Sequence, residues 1–241
     1  MFDHVGIRVA DARASERFYT TVLRTLGIEL THRDDDLVEW DDFALSPVEP
    51  DRPLTQRLHI GFVAPSREHV DAFHRAGVEA GYRDDGGPGA RPQYREDYYG
   101  SFLLDPDGNS AEAVHHGALR QGGWIDHLWL RTRDVAAILR FYEAIVPVLG
   151  FEIRMHGDDH LQIVGPSGSY SYLDGTPTKH THIAFPVPDN ETVEAFHRAA
   201  TEAGYRDNGG PGERAEYHPG YYGAFVLDPD GHNIEAVNHN R

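Results

Sequence analysis

The chain has 241 residues, a formal net charge of −17 and no cysteine. Such acidity argues against nucleic acid and anionic membrane surfaces as partners, and the absence of thiols excludes disulfides and thiolate chemistry. The start, Met1-Phe2-Asp3-His4, shows neither a basic-then-apolar leader nor a membrane span, so a cytoplasmic location is the default expectation.

In chain order, a short strand at Val5–Ala10 leads into an amphipathic helix at Ala12–Leu26, which Gly27 stops. Three short strands follow, near Glu29–Thr31, Leu37–Trp40 and Phe43–Val48. The pattern restarts with a strand at Leu58–Ala64 and a helix at Arg67–Ala80, stopped by Gly81. Strands near Tyr82–Asp84, Gly100–Leu104 and Ser110–His115 complete it. Gly86-Gly87-Pro88-Gly89 lacks the Gly-Lys-Ser/Thr ending of a phosphate loop and reads as an irregular turn. Asp105-Pro106-Asp107-Gly108 suits a type I turn, with Pro second and Gly fourth. The two halves are offset by 55 positions, His4 and Phe18 matching His59 and Phe73. Each half is therefore a βαβββ module.

The whole pattern then recurs 123 positions on, since Glu235 minus Glu112 is 123. Asp3-His4 matches Asp126-His127, Arg8 matches Arg131, His59 matches His182, and Leu104-Asp105-Pro106-Asp107-Gly108 matches Leu227-Asp228-Pro229-Asp230-Gly231. The expected organisation is a domain at 1–116, a linker at 117–123 and a second domain at 124–241.

Side chains alternate across a strand. Val5, Ile7 and Val9 make the natural seat for Phe18, Val22 and Leu26, so His4, Gly6 and Arg8 face the other way. By the same alternation His59 opposes Leu58 and Ile60, and Glu112 opposes Ala111 and Ala113. His127 with Arg131, His182 and Glu235 repeat this arrangement. If the strands curl into concave sheets, two imidazoles and one carboxylate meet in each hollow. That donor set, with open positions, suits Fe(II), Mn, Zn, Ni or Co. A lone strand histidine is otherwise a satisfied polar residue, and a duplication copies structural residues too. Arg8 and Arg131 would favour an anionic or enolate-forming substrate, unless each simply pairs with a neighbouring acid. His218, which replaces Arg95, is a candidate acid or base beside the metal group; the alternative is a surface residue. His74 and His197 read as helix-surface residues, and His116 and His239 as strand-end residues. Trp129 in place of Gly6 should make the second hollow smaller or aromatic-lined, so the two sites should differ.

At these residues the chain resembles the vicinal oxygen chelate superfamily, which includes glyoxalase, bleomycin resistance protein and extradiol dioxygenase relatives. The resemblance rests on Asp3-His4-Val5-Gly6-Ile7, Asp126-His127-Leu128-Trp129-Leu130, the middle His59 and His182, and the two Asp-Pro-Asp-Gly turns followed by Glu112 and Glu235. It implies an α+β fold, a tandem duplication of a glyoxalase-like domain, each made of two paired βαβββ modules forming a half-open barrel. It also implies a divalent metal, of open identity, that a small-molecule substrate chelates through neighbouring oxygens. The ligands would be His4, His59 and Glu112 with His127, His182 and Glu235, or an exchanged set in which His4 meets Glu235. Two departures bear on the reaction. Glyoxalase I carries a fourth carboxylate ligand where this chain has Phe43-Ala44-Leu45-Ser46 and Ser167-Gly168-Ser169-Tyr170. Extradiol dioxygenases carry a tyrosine ten residues before the glutamate, where Phe102 and Phe225 stand. Tyr222, three residues earlier, is a candidate for that role only if its strand bulges, as is Tyr99. The expected activity is a metal-dependent lyase, isomerase or dioxygenase. Its rival is a binding or drug-sequestering protein with Trp40, Trp129 and Tyr172 as stacking walls. The fused pair could act as a monomeric pseudo-dimer or form a homodimer.

Overall fold

The structure is a computed structural model that describes residues 1–117 and 122–240; most of the expected linker, 118–121, lies outside them. The chain divides into two compact units. Unit one is Gly6–Trp129. Unit two joins Met1–Val5 to Leu130–Arg241.

Unit one holds most of β1 (His4–Val9), then α1 (Ala12–Leu23), β2 (His32–Arg33), β3 (Val38–Trp40), β4 (Phe43–Pro47) and β5 (His59–Val63). It continues with α2 (Arg67–Glu79), β6 (Arg83–Ala90), β7 (Tyr99–Leu104), β8 (Ser110–His115) and the start of β9 (Ile125–Thr132). Its strands lie in the orders β1-β4-β3-β2 and β9-β5-β8-β7-β6. Unit two contains α3 (Val135–Leu149), β10 (Glu152–Met155), β11 (His160–Gly165), β12 (Gly168–Asp174) and β13 (His182–Pro186). It ends with α4 (Asn190–Glu202), β14 (Arg206–Glu213), β15 (Tyr222–Leu227) and β16 (Asn233–Asn238). There the orders are β9-β12-β11-β10 and β1-β13-β16-β15-β14, with only the first residues of β1 and the last of β9 belonging to this unit. The sheets are mixed: β5 runs parallel to β8 but antiparallel to β9. None closes into a barrel, and the architecture is α+β.

α1 and α3 form where the sequence caps them. Asp11 and Asp134 each accept a backbone N–H three residues on, from Ala14 at 2.9 Å and Ala137 at 2.8 Å, satisfying first-turn donors. The buried faces are as expected: Ile7, Val9, Phe18, Val22 and Leu26 are all in the core. In the Asp-Pro-Asp-Gly turn, Gly108 N–H donates to the Asp105 carbonyl at 3.0 Å. No helix among the described residues is long and apolar enough to cross a membrane.

Two strand expectations are corrected. The second strand lies at His32–Arg33, not 29–31, because His32 and Arg33 are the residues in register with Glu39 and Val38. Gly86-Gly87-Pro88-Gly89 is not an irregular turn but the middle of β6, which pairs with β7 through two register shifts. β6 is an edge strand, where a proline costs no ladder bond. Trp40 and Tyr172 are also reassigned: both are fully buried and serve the core, not a binding wall. Trp40 packs against Tyr19 and Phe43. The Tyr172 hydroxyl donates to Asp228 Oδ2 at 2.8 Å.

Asp228 also accepts from the backbone N–H groups of Asp230 and His232. Burial nevertheless raises its pKa from 3.8 to about 6. The native state therefore holds the proton more tightly than the unfolded chain. Stability falls as pH rises from about 4 to about 6, by at most ~3 kcal/mol. Asp228→Asn keeps an acceptor for the turn and removes this burden. In urea unfolding it should be more stable than wild type at pH 8, with the advantage gone at pH 4. An equal loss at both pH values would show that the carboxylate is worth more as an acceptor than its burial costs.

Candidate metal centres

Three side chains converge in each unit. In unit one, His59 comes from the start of β5, Glu112 from the middle of β8 and His127 from β9. His59 Nε2 lies 3.0 Å from Glu112 Oε2 and 3.2 Å from His127 Nε2, which is 3.3 Å from the same oxygen. In unit two, His4 comes from β1, His182 from β13 and Glu235 from β16. Here the separations are 2.9 Å between the imidazoles, and 3.1 and 3.7 Å from His182 and His4 to Glu235 Oε2. The structure thus brings together all six sequence candidates, in the exchanged grouping: His4 meets His182 and Glu235, not His59 and Glu112.

These distances fit one ion in each group. With bonds of about 2.1 Å, ligand atoms stand about 3.0 Å apart at right angles and about 3.4 Å apart at tetrahedral angles. The hydrogen bonds behind the ligands aim them. His4 Nδ1 donates to Asp3 at 2.9 Å, and His127 Nδ1 donates to Asp126 at 2.9 Å. Each bond leaves an Nε2 lone pair for the group, the usual arrangement behind metal-binding histidines. Tyr221 donates to Glu235 Oε1 and Tyr98 to Glu112 Oε1, both at 2.6 Å, so the other carboxylate oxygen is turned inward. Glu235 Oε2 is buried and has no hydrogen-bond partner. A buried carboxylate oxygen that makes no hydrogen bond and faces two imidazole nitrogens suits a cation.

Burial pushes both glutamates up, and the outcome depends on how closely the imidazoles approach. At Glu112 the hydrogen bonds from His127 and His59 override burial and bring the carboxyl down to about 2. His127 rises in turn to about 9: Asp126 and Glu112 outweigh its own burial. At Glu235, where His4 stands off at 3.7 Å, burial prevails and carries the carboxyl to about 7.

The surroundings differ. Trp129 lies 6.4 Å, ring to ring, from both His59 and His127, and Tyr94 packs on it at 5.8 Å. The aromatic wall expected for the hollow of His182 and Glu235 therefore belongs to the other group, because Trp129 sits in register with His59. The His127 side chain is 9% exposed, against 24% for His4. Gly61, in register with His127, makes room for the imidazole, since a Cβ there would collide with it.

The remaining candidates are placed as follows. Arg8 bonds to the Pro47 carbonyl and pairs with Glu49 at 3.6 Å. Arg131 reaches the Asp174 carbonyl at 3.5 Å. Each arginine stands near the opposite end of its strand from the histidine of that strand. Tyr222 points away: its hydroxyl bonds Glu194 on α4, because β15 does not bulge in its pairing with β16. The neighbouring Tyr98 and Tyr221 are the tyrosines that matter, and the Tyr-Tyr pairs 98–99 and 221–222 were the signal for them. His218 contacts His239 at 2.8 Å. His116 and His239, read as strand-end residues, bond Asp126 and Asp3 at 2.9 and 2.7 Å. Phe102 and Phe225 do flank His59 and His182, each with an arginine over its ring, Arg91 or Arg214.

Residues 1–113 and 124–236 each match the model of the Glyoxalase/Bleomycin resistance protein/Dioxygenase superfamily. Among solved structures, the chain is similar to glyoxalase I from Zea mays, with 19% identity over 99% of this chain and 92% of that one and a TM-score of 0.67. It is also similar to a candidate dioxygenase from Bacillus subtilis subsp. subtilis str. 168, with 13% identity over 100% and 85% of the two chains and a TM-score of 0.65. At these identities the likeness is one of fold. No curated protein matches at a significant level.

Tyr221→Phe would leave a buried carboxylate oxygen without its donor and should destabilise the protein by about 1–3 kcal/mol. Tyr222→Phe removes only an exposed bond and should cost under about 0.5 kcal/mol. Thermal unfolding of the two variants compares them directly; a reversed ranking would contradict the placement of these hydroxyls.

Proposed function

We propose that this chain, which belongs to the glyoxalase/bleomycin resistance protein/dioxygenase superfamily, is a metal-dependent enzyme acting on a small oxygen-chelating substrate. The observation that carries this is the buried Glu235 Oε2, which makes no hydrogen bond and faces the Nε2 atoms of His4 and His182 at 3.7 and 3.1 Å. A divalent ion bound by these three, or by His59, Glu112 and His127, supplies Lewis acidity toward substrate oxygens. The protein residues do the rest. Asp3 and Asp126 fix the imidazole tautomers, and Tyr221 and Tyr98 keep each glutamate turned so that one oxygen serves the group. Phe225 beside His182 offers no proton, so the chain's contribution is orientation and exclusion of water from one wall. The arginine over each phenylalanine favours an anionic substrate. The unit-two group is the more open one and is the proposed seat of turnover, in lyase, isomerase or dioxygenase fashion. We place the duplicated sequence units at 1–116 and 124–241.

A second reading has its own observation. Trp129 and the exposed Tyr94 offer a stacking face beside the unit-one group, suited to holding a planar aromatic compound without chemistry. Metal-independent quenching of tryptophan fluorescence by such a compound, abolished in Trp129→Leu, would support it.

Elemental analysis of untagged protein tests the leading proposal. Wild type should carry up to two divalent ions per chain. His4→Ala/His182→Ala should keep the ion of unit one, while His4→Ala/His59→Ala should keep none. The opposite pattern would refute the exchanged grouping. No ion in any preparation, after anaerobic incubation with Fe(II), Mn(II), Zn(II) and Ni(II), would end the catalytic reading.

A further inference from the structure

We infer that His218 and His239 are positioning residues for the unit-two metal group, forming with Asp3 a hydrogen-bonded chain that holds His4 with its Nε2 lone pair directed inward. The inference rests on the metal-binding reading of that group and adds two residues that do not touch it.

The donors and acceptors fix both ends of the chain. The Pro219 carbonyl can only accept, so His218 Nδ1–H donates to it at 2.8 Å. The Asp3 carboxylate also only accepts, so His239 Nε2–H donates to Oδ1 at 2.7 Å. His218 Nε2 and His239 Nδ1 share the link between the two rings, at 2.8 Å, with one ring donating to the other. Asp3 receives His239 on one oxygen and His4 Nδ1–H on the other, at 2.9 Å. Although burial raises it, these partners hold the Asp3 carboxyl below its ordinary value. The two outer imidazoles are stacked at 5.0 Å, and Tyr221, which donates to Glu235, sits edge-on to both.

The duplication supplies an internal comparison. In unit one, His116 and Asp126 repeat the inner links to His127. Arg95 stands where His218 stands, and its guanidinium pairs with Asp97 at 2.8 Å. His116 Nδ1 is left buried without a partner. The local backbone is also specialised. Gly220, in the place of Asp97, has φ +86°, and any Cβ there would press on the His239 carbonyl. Only this copy lets the loop settle onto the histidine. One chain is complete to the surface, and the other stops one imidazole short.

The test is titration of metal-free protein with Co(II), alongside ¹⁵N NMR of the His4 ring before metal is added. Wild type should show His4 as the Nδ1–H tautomer. His239→Ala should give a tautomer mixture and lose about 10- to 100-fold in Co(II) affinity at the unit-two group, the usual effect of removing a residue behind a ligand. The unit-one group should be unaffected. His239→Gln, whose amide can donate to Asp3, should recover part of the loss. His218→Arg, which installs the residue of the repeat at a surface position, should give a smaller loss in the same group and serves if His239→Ala does not fold. Unchanged affinity and unchanged tautomer in these variants would overturn this inference alone. No Co(II) uptake by wild type would overturn it together with the metal-binding reading.

Discussion

Two carboxylates, Glu112 and Glu235, are each about 1% exposed, and the arrangement of the sites follows from that. A buried carboxylate is tolerated only when its oxygens are met by donors or a cation. One oxygen of each is met by a tyrosine hydroxyl. The other faces two imidazoles, of which one in each group, His4 or His127, is tied through its far nitrogen to Asp3 or Asp126. Remove any member and a buried charge is left uncompensated. The group is thus a unit of stability as well as a place for an ion, and polar residues that touch neither solvent nor substrate are recruited to it.

Much of this was legible in the sequence, and the reason is periodicity. The offset of 123 and the alternation along β1, β5 and β8 were enough to single out all six converging residues. The core faces of α1 and β1 followed from the same rule. What periodicity cannot carry is pairing between modules. An alternation pattern says which face a histidine occupies, not which module lies across from it, so the set containing His4 stayed open. Tyr222 shows a second limit. Tyr221 lies outside the regular strand, where alternation no longer assigns a face, and its neighbour was chosen instead. β6 shows a third: a Gly-Gly-Pro-Gly stretch has turn composition, yet an edge strand with register shifts accommodates it. Trp40 and Tyr172 were aromatic and hence eligible as binding walls, but composition does not distinguish a wall from a core.

The two groups are copies that have diverged in what surrounds them. Trp129 and Gly6 occupy equivalent positions, as do Arg95 and His218, and Gly61 and Ala184. In unit one the changes add bulk over the group and make room for His127 to sit deep, where His127 and Glu112 hold opposite charges tightly. In unit two they leave His4 more exposed and tie it outward through imidazoles. A ligand set was duplicated intact, and substitutions around it gave one copy cover and the other access.

The membership of Met1–Val5 in unit two has a consequence for how the molecule is made. His59, Glu112 and His127 are all available once residue 129 has left the ribosome. His4 must wait for Glu235, 231 positions later. At about 5–20 residues per second that interval is on the order of 10–50 s. Until β13 is made, the first strand has a synthesised neighbour on only one side. Unit one can assemble before residues 130–235 are made, whereas unit two closes only after Glu235 is made, by capturing a segment synthesised 231 positions earlier. Contacts of such sequence separation form late and slowly. Nascent chains stalled before β13 would therefore carry a formed His59 group and a β1 edge with no partner strand yet made.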